Sequence, residues 1–192
     1  MSKIPIFTIG YGSRQIDAFI GILKECQIQF LVDIRTSPHS KFNPDFSQTN
    51  LRRHLADSQI RYVFMGDLLG GQPRDKSCYT DGKVDYDKCK TRPLYLKGID
   101  RLRTAWIKQL RIAIMCSEGK PQDCHRSKLI GETLSSLNID VLHIDESGLL
   151  KTQEQVIGTL FGNQLSFFER SFTSRKRYRM ERHEGGDDRE FT

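Results

Sequence analysis

The chain has 192 residues, 37% of them hydrophobic and 28% charged, with a formal net charge of +6. This composition excludes a fibrous or wholly disordered chain, and the length suits one domain with a tail rather than two large domains. The modest basic excess favours anionic partners such as nucleotides or nucleic acid, and it serves equally as a plain solubility device.

The opening stretch MSKIPIFTIGYG has no long apolar run behind a basic end, and no run of about 18 apolar residues follows. The expectation is a soluble, cytoplasmic protein with no membrane partner. Five cysteines, an odd number spread through a mid-sized chain, read as reduced thiols rather than a disulfide framework.

Short β-rich runs alternate with helical patterns from the first residues, the signature of βαβ units and a mainly parallel sheet. The predicted strands are Pro5 to Ile9, Phe30 to Ile34, Arg61 to Phe64, Arg111 to Cys116 and Val141 to Ile144. Helices are predicted near Arg14 to Cys26, Gln48 to Ser58, Lys97 to Gln109 and Ser127 to Leu137. Ile16, Phe19, Ile20 and Leu23 recur at helical spacing behind a Gly12-Ser13 start signal, and Leu129, Ile130, Leu134 and Leu137 repeat the pattern; both stripes are core. Residues 70–93, rich in Gly, Asp, Lys and Pro, read as a long excursion, either a binding loop or a surface insert. A short helix is predicted near Gln153 to Phe161, and the last dozen residues read as disordered. The organisation is therefore a Rossmann-like α/β domain of about five strands, three-layered αβα, over residues 1–150. A C-terminal extension occupies residues 151–192.

In a parallel sheet of right-handed crossovers the strand C-termini share one edge, where ligands bind. TIGYGSR places Gly10, Gly12 and Ser13 where a strand passes into a helix, either as an anion-binding turn or as a tight turn alone. VDIRTSPHS ends a strand with Asp33 and Arg35 two residues apart, on one face. Arg35 suits a phosphate or carboxylate; Asp33 reads as its salt-bridge partner or as part of the site.

MCSEGKPQDCHRSKL (115–129) is the densest chemical segment. Its cysteines are separated by seven residues, unlike the short spacing of structural zinc pairs, and no metal or cofactor is assigned. A Cys-x5-Arg phosphate loop fails because Gln122 stands where its arginine belongs. Cys116 reads either as a nucleophile assisted by His125 or as a buried small hydrophobe. Cys124, His125 and Arg126 open the next helix, where backbone N–H groups attract anions. An arginine there implies an anion opposite: a ligand phosphate, Glu118 or Asp33. Glu118 and His125 are candidate general acid and base, with a structural Glu118–Arg126 network as the alternative.

Through TIGYGSR, LVDIRTSP with NPDF, LGGQP, VDYDK and CSEGKPQDCHRS followed by VLHI, residues 6 to 145 resemble the bacterial and archaeal family called domain of unknown function 488. The resemblance implies a Rossmann-like fold, an unassigned activity, and a functional cluster of Asp33, Arg35, Cys116, Glu118, Cys124, His125 and Arg126.

NQLSFFERSF carries Gln164, Leu165, Phe167 and Phe168, and resembles the sliding-clamp-binding peptide Gln-Leu-Ser/Asp-Leu-Phe, with Phe167 in place of the second leucine. Its phenylalanines would fill a groove on the clamp, or else pack on the domain itself. Arg175, Lys176, Arg177 and Arg179 follow as candidate phosphate contacts. The sequence thus supports two functions. One is an enzyme acting by hydrolysis or group transfer on a phosphate-bearing ligand, nucleotide or nucleic acid; the other is a nucleic-acid-associated binding module recruited through its tail.

Overall fold

The computed structural model describes residues 3–160 and 171–178. β1 (Ile6–Gly10) is buried along its whole length and leads to α1 (Ile16–Glu25). β2 (Phe30–Asp33), α2 (Gln48–Asp57), β3 (Arg61–Phe64) and the single-turn α3 (Gly66–Leu69) follow. The region expected as an open excursion holds a small hairpin, β4 (Tyr79–Thr80) and β5 (Lys83–Val84), then α4 (Tyr86–Lys90). α5 (Pro93–Ile107) begins four residues before its predicted start because Pro93 fits the first helical turn, where a missing N–H costs nothing. β6 (Ile112–Cys116), α6 (Glu132–Ser136), β7 (Val141–Ile144), β8 (Leu150–Thr152) and α7 (Gln153–Gly158) complete the order.

The described residues form a six-stranded sheet in the order β3-β2-β6-β1-β7-β8. The five predicted strands are its parallel part, and β8 adds an antiparallel edge on β7. Fully buried IFTIG and IAIMC at the centre are the continuous apolar runs that a sheet covered on both faces requires. Alternation sorts their side chains: Ile112, Ile114 and Cys116 join one core, Ala113 and Met115 the other. α1 and α2 pack on the second core through Phe19, Leu23, Leu51 and Leu55. α5 and the segment after β6 pack on the first through Ile99, Leu102, Ile130 and Leu134. The result is the three-layer Rossmann-like arrangement expected.

Four helices end alike. Gln27, Gln59, Gln109 and Asn138 adopt φ of 54–58°, and each is followed by Ile28, Ile60, Leu110 or Ile139, whose N–H bonds back to Leu23, Leu55, Ala105 or Leu134. This is the Schellman closure, with an amide side chain where glycine is usual. It turns the chain directly into β2, β3, β6 and β7.

One predicted helix differs in kind. Residues Arg126–Gly131 are π-helical before α6 takes over. The wider turn carries the wholly buried Arg126 side chain, and Gly131 admits the Gln153 amide, which lies 2.2 Å from where a β-carbon would stand.

Residues 171–178 turn back onto the hairpin. Tyr86 N–H donates to the Phe172 carbonyl, Ser174 N–H to Val84 and Tyr178 N–H to Gly82, while Tyr178 packs edge-on against Tyr79. The Gln164, Leu165, Phe167 and Phe168 peptide and Arg179 lie outside the described residues. Among the described residues, no helix is long and apolar enough to cross a membrane.

Candidate functional site

The connections that leave β1 and β2 lead to helices on one face, and the one that leaves β6 leads to the other, so the chain parts at the C-terminal end of β6. A pocket of about 250 Å³ lies at this edge, the position topology favours in open α/β sheets. Tyr11 follows β1; Arg35, Thr36, Ser37 and His39 follow β2; Gly71 and Gln72 follow α3; Cys116, Glu118, Asp123, Cys124 and His125 come from the segment after β6. Tyr86, Ser174, Arg175, Lys176 and Tyr178 close the remaining side.

Cys116 ends β6 opposite Gly10 of β1. Its Sγ lies 2.8 Å from Cys124 Sγ and 3.0 Å from Arg126 Nη1, and both cysteines are almost wholly buried. Arg126 also donates to the carbonyls of Glu118 and Gly119, while its backbone N–H points at Cys124 Sγ, 3.4 Å away. Among the described residues no carboxylate pairs with Arg126, and its Nε is buried without a partner. Neither Glu118 nor Asp33 is the anion the sequence placed opposite this arginine. A buried cation needs a counter-charge, and the group its side chain meets besides carbonyls is the Cys116 thiol, itself in contact with Cys124.

The two thiols respond together. Burial pushes the Cys116 thiol well above its ordinary range, and its hydrogen bond to Cys124 reinforces that. Burial also opposes ionisation of Cys124, but the bond from Cys116 and the charge and backbone N–H of Arg126 outweigh it, so Cys124 is lowered. Of the two, Cys124 is the thiol that ionises more readily, with Cys116 donating to it. His125 Nδ1 lies 3.5 Å from Cys124 Sγ. Burial and the nearby Arg126 charge outweigh the pull of Cys116 and keep the ring below its ordinary value, hence neutral at pH 7.

Gly10 is fitted to this arrangement. A β-carbon there would stand 1.8 Å from the Glu118 carbonyl oxygen and 2.3 Å from Arg126 Nη1. Gly12, at φ +49°, donates its N–H to the Ser117 carbonyl and faces Gly119. The glycine turn therefore braces the 116–119 loop. Gly10, Gly12, Ser13, Asp33 and Arg126 do not line the pocket, whereas Arg35, Cys116, Glu118, Cys124 and His125 do.

Asp33 and Arg35 form the salt bridge that their spacing suggested, at 2.6 Å, with Tyr62 OH donating to the same carboxylate and Arg35 Nη1 to the Phe46 carbonyl. Asp33 is wholly buried. Arg35 reaches the pocket wall with much of its guanidinium already engaged. Glu118 pairs with Arg175 at 3.1 Å, not with Arg126, and Arg175 also reaches Asp123 at 3.4 Å. His143, at the fifth predicted strand, is a core residue held between Thr8 and Gln153, each at 2.7 Å.

A family profile described as Domain of unknown function DUF488 matches residues 15–132, more than half of the chain. The chain belongs to the DUF488 family. The match takes in Arg35, Cys116, Glu118, Cys124, His125 and Arg126, so the thiol pair and its arginine fall within the DUF488 region. Arg175 and Lys176 fall outside it. No curated protein matches the chain.

Tyr86, Gln72, Ser174, Arg175, Lys176 and Tyr178 line the site as well, beyond the residues expected there from the sequence. Gln72 and Tyr86 sit within LGGQP and VDYDK, quoted for the family resemblance, so a signal existed. Arg175 and Lys176 offered only a basic run, with nothing in their spacing to bring them back to β6.

Proposed function

We propose that this protein is an enzyme acting by hydrolysis or group transfer on a phosphate-bearing ligand, nucleotide or nucleic acid, bound in the pocket at the C-terminal edge of the sheet. The observation that carries the reading is the charge layout. Arg35, Arg175 and Lys176 line the pocket together with Cys124, whose thiol is buried yet lowered by its bond from Cys116 and by the Arg126 charge. Cations fixed around a pocket attract a phosphate and stabilise charge that develops on it. Cys124 is then the nucleophile: as it attacks, its thiol proton passes to neutral His125 beside it, and the imidazolium so formed gives that proton to the leaving oxygen. Arg126 and Arg35 serve as braces, with Arg126 setting the charge of the thiol pair. Glu118 and Asp123 hold Arg175 in place. Five unpaired thiols suit a reducing compartment, so the setting we infer is cytoplasmic.

Calorimetric titration of the full chain with nucleoside mono-, di- and triphosphates and short single-stranded DNA and RNA, at low salt, tests this. Binding of one class, weakened by Arg175→Ala with Lys176→Ala, is expected; Cys124→Ala should retain binding and lose turnover. Failure of the whole panel to bind overturns the reading. A second reading, a nucleic-acid-associated module, draws on the basic residues 175–177 and the clamp-like peptide at 164–168. It is favoured if nucleic acid binds equally to Cys124→Ala and no ligand is turned over. Deleting 164–168 would then abolish capture by purified sliding clamp.

A further inference from the structure

We propose that Cys116 and Cys124 form a thiol–disulfide exchange site, in which Cys124 reacts with a low-molecular-weight, carboxylate-bearing disulfide entering the pocket and Cys116 resolves the mixed disulfide. Three observations carry it. The sulfurs stand 2.8 Å apart, close enough to bond with little backbone movement. Both residues line the pocket, so a small molecule reaches them. The wholly buried Arg126 guanidinium lies 3.0 Å from Cys116 Sγ without a carboxylate partner among the described residues, where it would stabilise negative charge on the sulfurs. Arg175 and Lys176 at the wall select for carboxylates on the incoming molecule.

The exchange balances. Cys124 thiolate attacks one sulfur of the disulfide; that S–S bond breaks, a mixed disulfide forms on Cys124, and the first small thiolate leaves. The leaving thiolate takes the Cys116 proton. The Cys116 thiolate, formed beside Arg126, attacks Cys124 Sγ, closes the Cys116–Cys124 bond and expels the second small thiolate. One disulfide is reduced and one is formed. Arg126 also sets the poise: the protein disulfide leaves this buried cation unbalanced, so the equilibrium favours the dithiol, and the oxidised pair is a strong oxidant of thiols.

Cys78 and Cys89 supply an internal control. They also hydrogen-bond to each other and are buried. Burial pushes both thiols up, and the charge of the partly exposed Arg92 near them does not reverse it.

The test equilibrates the full chain with reduced and oxidised glutathione at a series of ratios, quenches with acid, alkylates and maps peptides by mass. A Cys116–Cys124 linkage is expected at high oxidised fraction. Cys116→Ser should trap one glutathione on Cys124 at least tenfold faster than Cys124→Ser traps one on Cys116. Arg126→Met should raise the disulfide fraction at a fixed ratio at least tenfold; if that variant fails to fold by circular dichroism, the wild-type series and the two serine variants decide. No 116–124 linkage at any ratio, a linkage at 78–89 instead, or equal trapping by both serine variants overturns the proposal. Glutathione carries no phosphate, so this result stands apart from the nucleotide titration, and either reading can fail alone.

Discussion

Gly10→Ala isolates the contact between the glycine turn and the arginine cradle. The added β-carbon would meet the Glu118 carbonyl oxygen at 1.8 Å and Arg126 Nη1 at 2.3 Å. The first neighbour is backbone, so the 116–119 loop, the end of β1 or the guanidinium must move. Overpacking costs about 1–3 kcal/mol, and loosening a buried charged hydrogen bond about 1.5–3 kcal/mol. A combined loss of roughly 3–5 kcal/mol is expected, a fall in melting temperature of about 10 °C for a chain of this size. Displacing the guanidinium also removes positive charge from the thiol pair, so Cys124 titrates at higher pH and its alkylation at neutral pH slows. Urea unfolding by circular dichroism reads the first effect, and the pH profile of iodoacetamide labelling reads the second. A variant within about 0.5 kcal/mol of wild type, with an unchanged labelling profile, would refute the claim that Gly10 seats Arg126.

His143 is lowered to about 4, mainly by burial. Between its ordinary value near 6.5 and 4 the unfolded chain binds a proton that the folded chain does not. Stability is therefore full above pH 6.5 and falls by about 3 kcal/mol towards pH 4; urea midpoints across that range should fall with acidification, and less steeply in His143→Gln. Asp33→Ala strands the buried Arg35 guanidinium and should cost about 3–5 kcal/mol, read by urea unfolding, whereas Tyr62→Phe, which removes one hydrogen bond to Asp33, should cost about 1 kcal/mol. Arg175→Ala removes two partly exposed ion pairs and should change stability by less than about 1 kcal/mol, yet weaken nucleoside diphosphate binding about tenfold by calorimetry. Gln59→Gly relieves a left-handed backbone at φ 58° and should stabilise the chain by about 1 kcal/mol, seen as a higher urea midpoint.

What the sequence by itself determined is the part that periodicity encodes. The apolar runs marked the five parallel strands, and the amphipathic stripes marked the helices that cover them. The two-residue spacing of Asp33 and Arg35 was enough to pair them: β2 ends at Asp33, and side chains this close along the chain meet without a distant partner. Strand order then brought the residues after β2 and β6 to a common edge. The hairpin at 79–84 was also legible, since Asp81-Gly82 is a standard two-residue turn and both residues take positive φ; it was lost in a region read as loop from its composition.

Tertiary structure decided the site's chemistry. The Cys116–Cys124 contact spans seven intervening residues whose path no periodicity describes. Arg126 looked like an anion-binding arginine at a helix start; a π-helical turn buries it against carbonyls and sulfur instead. Glu118 found its partner 57 residues away, when residues 171–178 folded back along the β4–β5 hairpin. The physical reason is common to all three. Patterns along the chain record which face each residue presents, whereas charge balance inside a pocket depends on which side chains from distant loops meet there and what water they exclude.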